Sequence, residues 1–257
     1  MNIKRAKHSD PQFARDDFIS LDGEWDFGFK KAKSGFKFSA DESKATEILQ
    51  MNEYPYEINM FTHKINVPFC IESELSGIGY KDFVNMVWYR KNVCINKNGE
   101  RIFLCFGAAD HLTTVLVNGI LAGRHKGGYT PFRFDITDLV VNGENTLDVV
   151  VLKWCVSTYL ECQDKFRFSG IFRNVYLLKR PEKHITDYRF ITELDGKDGV
   201  LTFFNESKIA ITVSFKQTKT VVPAKKSVEF HVKNVRQWSA ENPELYTLKL
   251  EAEGELI

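Results

Sequence analysis

The sequence predicts an all-β protein made of two successive β-sandwiches, and three observations carry that prediction. Short segments with apolar residues at every second position recur along the chain, each bounded by Gly, Asn, Asp or Pro. Asn118-Gly119 and Asn142-Gly143 each precede or interrupt β-branched runs, and Asn-Gly is the strongest short-range hairpin signal. Strands do not alternate with long amphipathic helices, so a parallel α/β sheet is not supported.

Each element follows from its own pattern. Lys30, Lys31 and Lys33 form a short cationic run that reads as a solvated turn. Ser39 followed by Glu42 is a capping box, so SADESKATEILQM predicts one helix, an excursion from the β scaffold. In VWYRKNVCI (87–95), Val87, Tyr89, Val93 and Ile95 share one face while Arg90 and Asn92 share the other. RIFLCF (101–106) is apolar on both faces, as a central sandwich strand is. TTVLVNGILAG predicts a hairpin, and FDITDLV (134–140) a helical turn closing a strand, with Asp135 and Thr137 as local caps. TLDVVVLKW (146–154) is a strand of serial β-branched residues.

YLECQDKFRFSGIFRNVYLLKRP (159–181) is β-patterned through Phe166, Phe168, Ile171, Val175 and Leu177, yet it opens with the acids Glu161 and Asp164. A boundary falls near Lys179-Arg180-Pro181, dividing domain 1–181 from domain 182–257. After it, about five short strands follow at roughly ten-residue spacing, the sign of a small sandwich. Residues 182–257 fall short of the about 100 of a complete immunoglobulin-like domain, so a strand is expected to be missing at the carboxyl end.

Composition excludes several classes of function. The chain has 257 residues, 43% of them hydrophobic and 27% charged, within the range of globular proteins. Its formal net charge of +1 gives no electrostatic case for nucleic acid or an anionic membrane as partner. Cys70, Cys94, Cys105, Cys155 and Cys162 form no CxxC pair, which argues against a zinc or redox motif and for small hydrophobes in the interior. With neither a signal-peptide core nor a run of about 18 apolar residues, the expectation is a cytoplasmic protein.

The ordered set LDGEWDF (21–27), INVPF (65–69), VWYRK (87–91), VNG (117–119), HKGGYTPFRFDIT (125–137), NGENTLDVVV (142–151), SGIFRNVYL (169–177) and ENPELYTLKL (241–250) resembles glycoside hydrolase family 2, most closely its β-galactosidase branch. The resemblance covers nearly the whole chain. It implies a jelly-roll, galactose-binding-like sandwich, then an immunoglobulin-like sandwich. It also implies that the (β/α)₈ barrel which does the chemistry is absent from this chain. A barrel needs about 250 residues of its own, and a retaining glycosidase needs two carboxylates about 5–5.5 Å apart. The pairs Asn52-Glu53 and Asn205-Glu206 mimic the family's acid/base dipeptide but stand on no barrel strand, so no catalytic residue is assigned.

By the same resemblance, Asp164 in QDKFRFSGIFR matches an aspartate that reaches a galactoside and a bound cation. The full-length enzyme would use sodium or magnesium, and Asp164 would be both a carbohydrate contact and a metal ligand. The chemistry fits, since a carboxylate accepts from two hydroxyls and hard oxygens suit such cations. Read without the resemblance, Asp164 is an exposed acid at a strand entry, or a partner of Arg167 or Arg173. Phe166 stands where the family has tryptophan. Asn85 is the nearest equivalent of a sugar-contacting asparagine, although GIGYKDFVNM lacks the family's Tyr-Thr-Asn motif, and a turn or bulge asparagine is the plainer reading.

HKGGYTPF leads into a strand, so it is a tight turn with Tyr129 and Phe132 packed on the sandwich rather than a phosphate cradle. Trp25, Trp88 and Trp154 read as core, Trp238 as a loop anchor and His125 as structural. The expected partners are a β-galactoside, the catalytic barrel of the parent chain and further copies of the chain. The rival readings are a stand-alone carbohydrate-binding module without hydrolase activity, and a purely structural assembly domain.

Overall fold

A computed structural model describes residues 18–31, 61–82, 84–153 and 168–257. The predicted helix at 39–51 lies outside them, as do Asn52-Glu53, Trp154, Cys155, Cys162 and Asp164. The chain divides into two compact units, residues 17–179 and residues 180–257.

The first unit contains β1 (Phe18–Ser20), β2 (Gly23–Lys31), β3 (His63–Val67), β4 (Val84–Ile95), β5 (Arg101–Phe106) and β6 (Ala109–Asp110), followed by β7 (Leu112–Val117), β8 (Ile120–Lys126), β9 (Phe132–Asp135), β10 (Gly143–Leu152), β11 (Gly170–Ile171) and β12 (Val175–Arg180). Six of them form one sheet in the order β3-β2-β4-β10-β7-β8, and four form the other, β1-β12-β5-β9. This is the jelly-roll sandwich. β10 is central and antiparallel to both neighbours, which explains its run of β-branched residues: Val149 and Val151 enter the core while Val150 packs on Trp88 across the other face. The core closes with Trp25, Phe27 and Tyr89 from the larger sheet, against Ile102, Leu104, Phe106 and Leu177 from the smaller.

The turns answer to their residues. Asn118 (φ 52) and Gly119 (φ 79) both adopt left-handed backbone, the type I′ geometry that matches the strand twist. The Asn118 amide donates to the Leu139 and Asn145 oxygens and accepts from Thr146 N, each at 2.9 Å, so the β7–β8 turn is tied to β10. The predicted turn after β9 forms over residues 136–140, with Asp135 Oδ1 accepting from Thr137 N at 3.0 Å. Thr137 Oγ1 in turn accepts from Ile102 N at 2.9 Å.

The second unit is an immunoglobulin-like sandwich of β13 (Tyr188–Asp195), β14 (Asp198–Asn205), β15 (Ile211–Phe215), β16 (Thr218–Val222), β17 (Ser227–Val232), β18 (Leu248–Ala252) and β19 (Glu255–Leu256). Its sheets are β13-β14-β17 and β16-β15-β18-β19, with Phe203, Ile211, Val213, Phe230 and Leu250 between them. Alternation in the sequence reveals five of the seven strands. β16 escapes it because only Val222 is buried there, and β19 because it is two residues long. β19 is extended by a reciprocal pair of backbone bonds between Leu250 and Ile257, 2.9 Å each.

Some expectations change. Cys70 and Cys105 are buried, whereas Cys94 is exposed on β4. Trp238 is 62% exposed rather than an anchor. Phe132 does pack on the core, but Tyr129 keeps an exposed ring edge-on to Phe172. Among the described residues no helix is long and apolar enough to cross a membrane.

Candidate functional site

The site is the rim of the first unit from which the chain leaves for residues 154–167, the segment that carries Asp164. β10 delivers the chain there at Lys153, and Phe168 returns it. Lys153 Nζ donates to Asp110 Oδ2 and to the Phe168 carbonyl, 2.6 Å each. The two ends of the segment are therefore clasped through one side chain. Lys153 and Asp110 are 3% and 2% exposed, so this ion pair is dry. Two buried charges persist only when paired and bonded, and the third partner, the Phe168 carbonyl, completes that requirement for the ammonium. Among the described residues Asp110 Oδ1 has no hydrogen-bond partner.

The returning strand is fixed just as tightly. Gly170 pairs with Asp110 and Ile171 with Ala109 in the short β6–β11 ladder. Ser169 N donates to Glu72 Oε2 at 3.1 Å, and Ile171 N to the hydroxyl of fully buried Tyr89 at 3.1 Å. Gly170 has φ 78, and a Cβ there would stand 2.0 Å from the Tyr89 hydroxyl, so glycine is required twice over. The Asp110–His111 peptide is cis. Burial drives the Tyr89 phenol far above its ordinary range, with the neighbouring Glu72 adding to the rise. Burial first, then Glu72, pushes the Cys70 thiol to about 11, which makes it unreactive as a thiolate.

Beside the clasp lies an aromatic group. Phe168 and Phe172 stack at 5.1 Å, Tyr129 meets Phe172 edge-on at 5.9 Å, and His125 stacks on Phe132 at 4.0 Å. Burial, with His111 close by, lowers the His125 pKa below its ordinary range. Gly127 N donates to the His111 carbonyl at 3.0 Å, which ties the HKGGYTPF loop to this rim.

Of the two residues predicted to touch sugar, Asp164 lies outside the described residues. Asn85 falls within β4 where its pairing slips: Lys31 opposes Val84 and Lys30 opposes Met86, so Asn85 occupies a bulge. The next residue, Met86, is paired with Leu152. The register thus places Asn85 at the same end of the sheet as Lys153, where the Asp164 segment begins. Asp110, Lys153, Glu72 and Tyr89 are not singled out by sequence reasoning. The signal was present for two of them, because Asp110 and Lys153 are lone charges inside apolar runs. The other tempting dipeptide is structural: Asn205 is buried, and its amide donates to the carbonyls of Ile209, Val222 and Pro223 at 2.8, 3.0 and 3.1 Å.

A jelly roll followed along the chain by an immunoglobulin-like sandwich defines a tandem β-sandwich protein. The model of the glycosyl hydrolases family 2 sugar binding domain matches residues 18–181, and that of glycosyl hydrolases family 2 matches residues 201–257. The chain belongs to glycosyl hydrolase family 2. A β-galactosidase of Actinobacillus pleuropneumoniae is 32% identical over 260 residues, covering 94% of this chain and 25% of that protein. One of Priestia megaterium is 29% identical, covering 91% and 26%. The chain thus spans about a quarter of the length of these curated relatives. Among solved structures, a β-glucuronidase of an uncultured Clostridium sp. superposes with TM-score 0.68 at 26% identity, covering 93% of this chain and 43% of that one. A Ruminococcus gnavus β-glucuronidase, at 22% identity and TM-score 0.71, shares the fold.

Proposed function

We propose that this chain is the non-catalytic sugar-binding and assembly portion of a β-galactosidase-like glycoside hydrolase that cleaves terminal β-D-galactosides with retention. The observation that carries the reading is the match of β-galactosidases to more than nine-tenths of this chain but only a quarter of their own length. In the parent enzyme the catalytic barrel is its partner. Asp164 lies on one wall of the pocket and accepts hydrogen bonds from two sugar hydroxyls, and Asn85 supplies a further contact from the β4 bulge. The clasp of Lys153, Asp110 and the Phe168 carbonyl fixes where the Asp164 segment departs and returns.

Sodium or magnesium would meet hard oxygen at Asp164. Among the described residues no cluster of three or more His, Cys, Asp or Glu could hold a metal ion, so no step is assigned to one. The location we assign is cytoplasmic, in keeping with reduced thiols at Cys70 and Cys94.

The test is steady-state kinetics of the parent enzyme with an aryl β-galactoside. Asp164→Ala is expected to raise KM on the order of tenfold, the value of about one charge-assisted hydrogen bond, with a smaller change in kcat. Unchanged kinetics would remove Asp164 from the pocket and favour a purely structural domain. Millimolar or tighter binding of galactosides by the 257-residue chain alone would favour the stand-alone binding module, since one pocket wall offsets little of the cost of immobilising a ligand.

A further inference from the structure

The edge of the second unit carries an inference that stands independently of the sugar reading. Among the described residues β13 is an outer strand, bonded to β14 on one side only. Its residues 189–195 are all exposed, an unusual length of open backbone. Phe190, Thr192 and Leu194 point to the inner face of the sandwich, where with Phe215, Trp238 and Leu248 they line a groove of about 560 Å³. Yet Phe190 and Leu194 remain 46% and 57% exposed. Arg189, Ile191, Glu193 and Asp195 occupy the other face, with the Arg189 guanidinium 3.9 Å over the Phe204 ring and its Nε 3.8 Å from Glu206, a loose exposed pair.

We propose that this edge docks a second copy of the same chain, the two β13 strands running antiparallel about a two-fold axis through Thr192. In that register Arg189 opposes the partner's Asp195 and Phe190 opposes the partner's Leu194. Ile191 opposes the partner's Glu193, and the two Thr192 side chains meet on the axis. One face of the joint is then apolar around a threonine pair, and the other carries an Arg189–Asp195 ion pair at each end with Ile191 against Glu193 between them, the ion pairs and apolar pairs being of the kind that stabilises neighbouring strands. Charges on an edge strand ordinarily prevent pairing, but here their order along the strand selects one register. Moving the axis to Ile191 would set Asp187 against the partner's Asp195 and lose the Phe190–Leu194 contact. Moving it to Glu193 would oppose two glutamates. The docked strands make one six-stranded sheet from two three-stranded ones and cover the mouth of the groove, the self-complementary patch that two-fold symmetry requires.

Sedimentation velocity of the 257-residue chain, from about 1 to about 100 μM, is expected to show a reversible dimer, the behaviour of a small interface. Thr192→Lys places two like charges on the axis and is expected to weaken the dimer about fivefold. Arg189→Asp should weaken it by a similar factor or more, and Arg189→Asp with Asp195→Arg together should restore it. In a Cys94→Ser background, Thr192→Cys should form an intersubunit disulfide under mild oxidation, since opposed Cα atoms in an antiparallel pair lie about 4.5–5.5 Å apart. Val221→Cys, exposed on β16, is the control. A monomer across the whole range, a dimer indifferent to Thr192→Lys, or cross-linking at Thr192 no faster than at Val221 would each overturn the proposal.

Discussion

Replacing Lys153 by methionine removes the ammonium and little else, because the two side chains are similar in length and apolar volume. The structure sets the magnitude. Both members of the Lys153–Asp110 pair are almost wholly buried, so solvent screens neither, and among the described residues the carboxylate would be left without the cation it pairs with and with no partner at Oδ1. The Phe168 carbonyl would lose its donor as well. Breaking a buried pair by removing one partner costs about 3–5 kcal/mol. With a urea m-value of about 2 kcal/mol/M, that is a midpoint shift of about 2 M in the transition of the first unit. Trp25 and Trp88 report on that unit and Trp238 on the second, so fluorescence during urea unfolding can separate the two. Adding Asp110→Asn to Lys153→Met should recover at least half of the loss, because no uncompensated charge then stays buried. A single variant within about 1 kcal/mol of the parent chain would refute the claim that the clasp is dry, for that is the value of a surface pair.

Three further outcomes follow from described geometry. Gly170→Ala should be recovered only as misfolded or strongly destabilised protein, since its methyl collides with the Tyr89 hydroxyl at a positive φ; a cooperative melt close to that of the parent chain would contradict the β6–β11 arrangement. Asn118→Ala loses three hydrogen bonds and a left-handed turn residue, a cost of about 2–4 kcal/mol measurable as a shift of the chemical-denaturation midpoint. The His125 pKa is lower folded than unfolded, so the unfolded chain binds the extra proton first. Stability should fall as pH drops below about 6.5, and the loss should be complete below the folded value. Chemical denaturation at pH 8 and pH 5 should therefore show a smaller drop for His125→Phe than for the parent chain.

The sandwich strands were legible because burial on one or both faces writes itself as period two or as an apolar run. Val87, Tyr89, Val93 and Ile95 share a buried face as their spacing demands, and Asn118-Gly119 makes the turn that its residues favour. β16 was not legible, since an edge strand mostly open to solvent needs no apolar alternation. At the rim, the sequence pointed to the segment through Asp164 but not to what holds it. Asp110, Lys153 and Glu72 are far apart in the chain, and their meeting depends on the register of β10 against β4 and β7, which no local pattern specifies. Asn85 shows the same limit: its position in a bulge is a property of two paired strands, not of its neighbours in sequence.

The clasp also bears on how such a module diversifies. One lysine spans the gap between the outgoing and returning strands, and the Phe168 carbonyl, Ser169 N and Ile171 N each find a side-chain partner in the sandwich. With those ends fixed, lengthening a flexible connection between them adds only about 0.6 kcal/mol of closure entropy per doubling. On the proposed reading, selection can retune the Asp164 contact through one contiguous stretch of chain while the scaffold beneath stays constant.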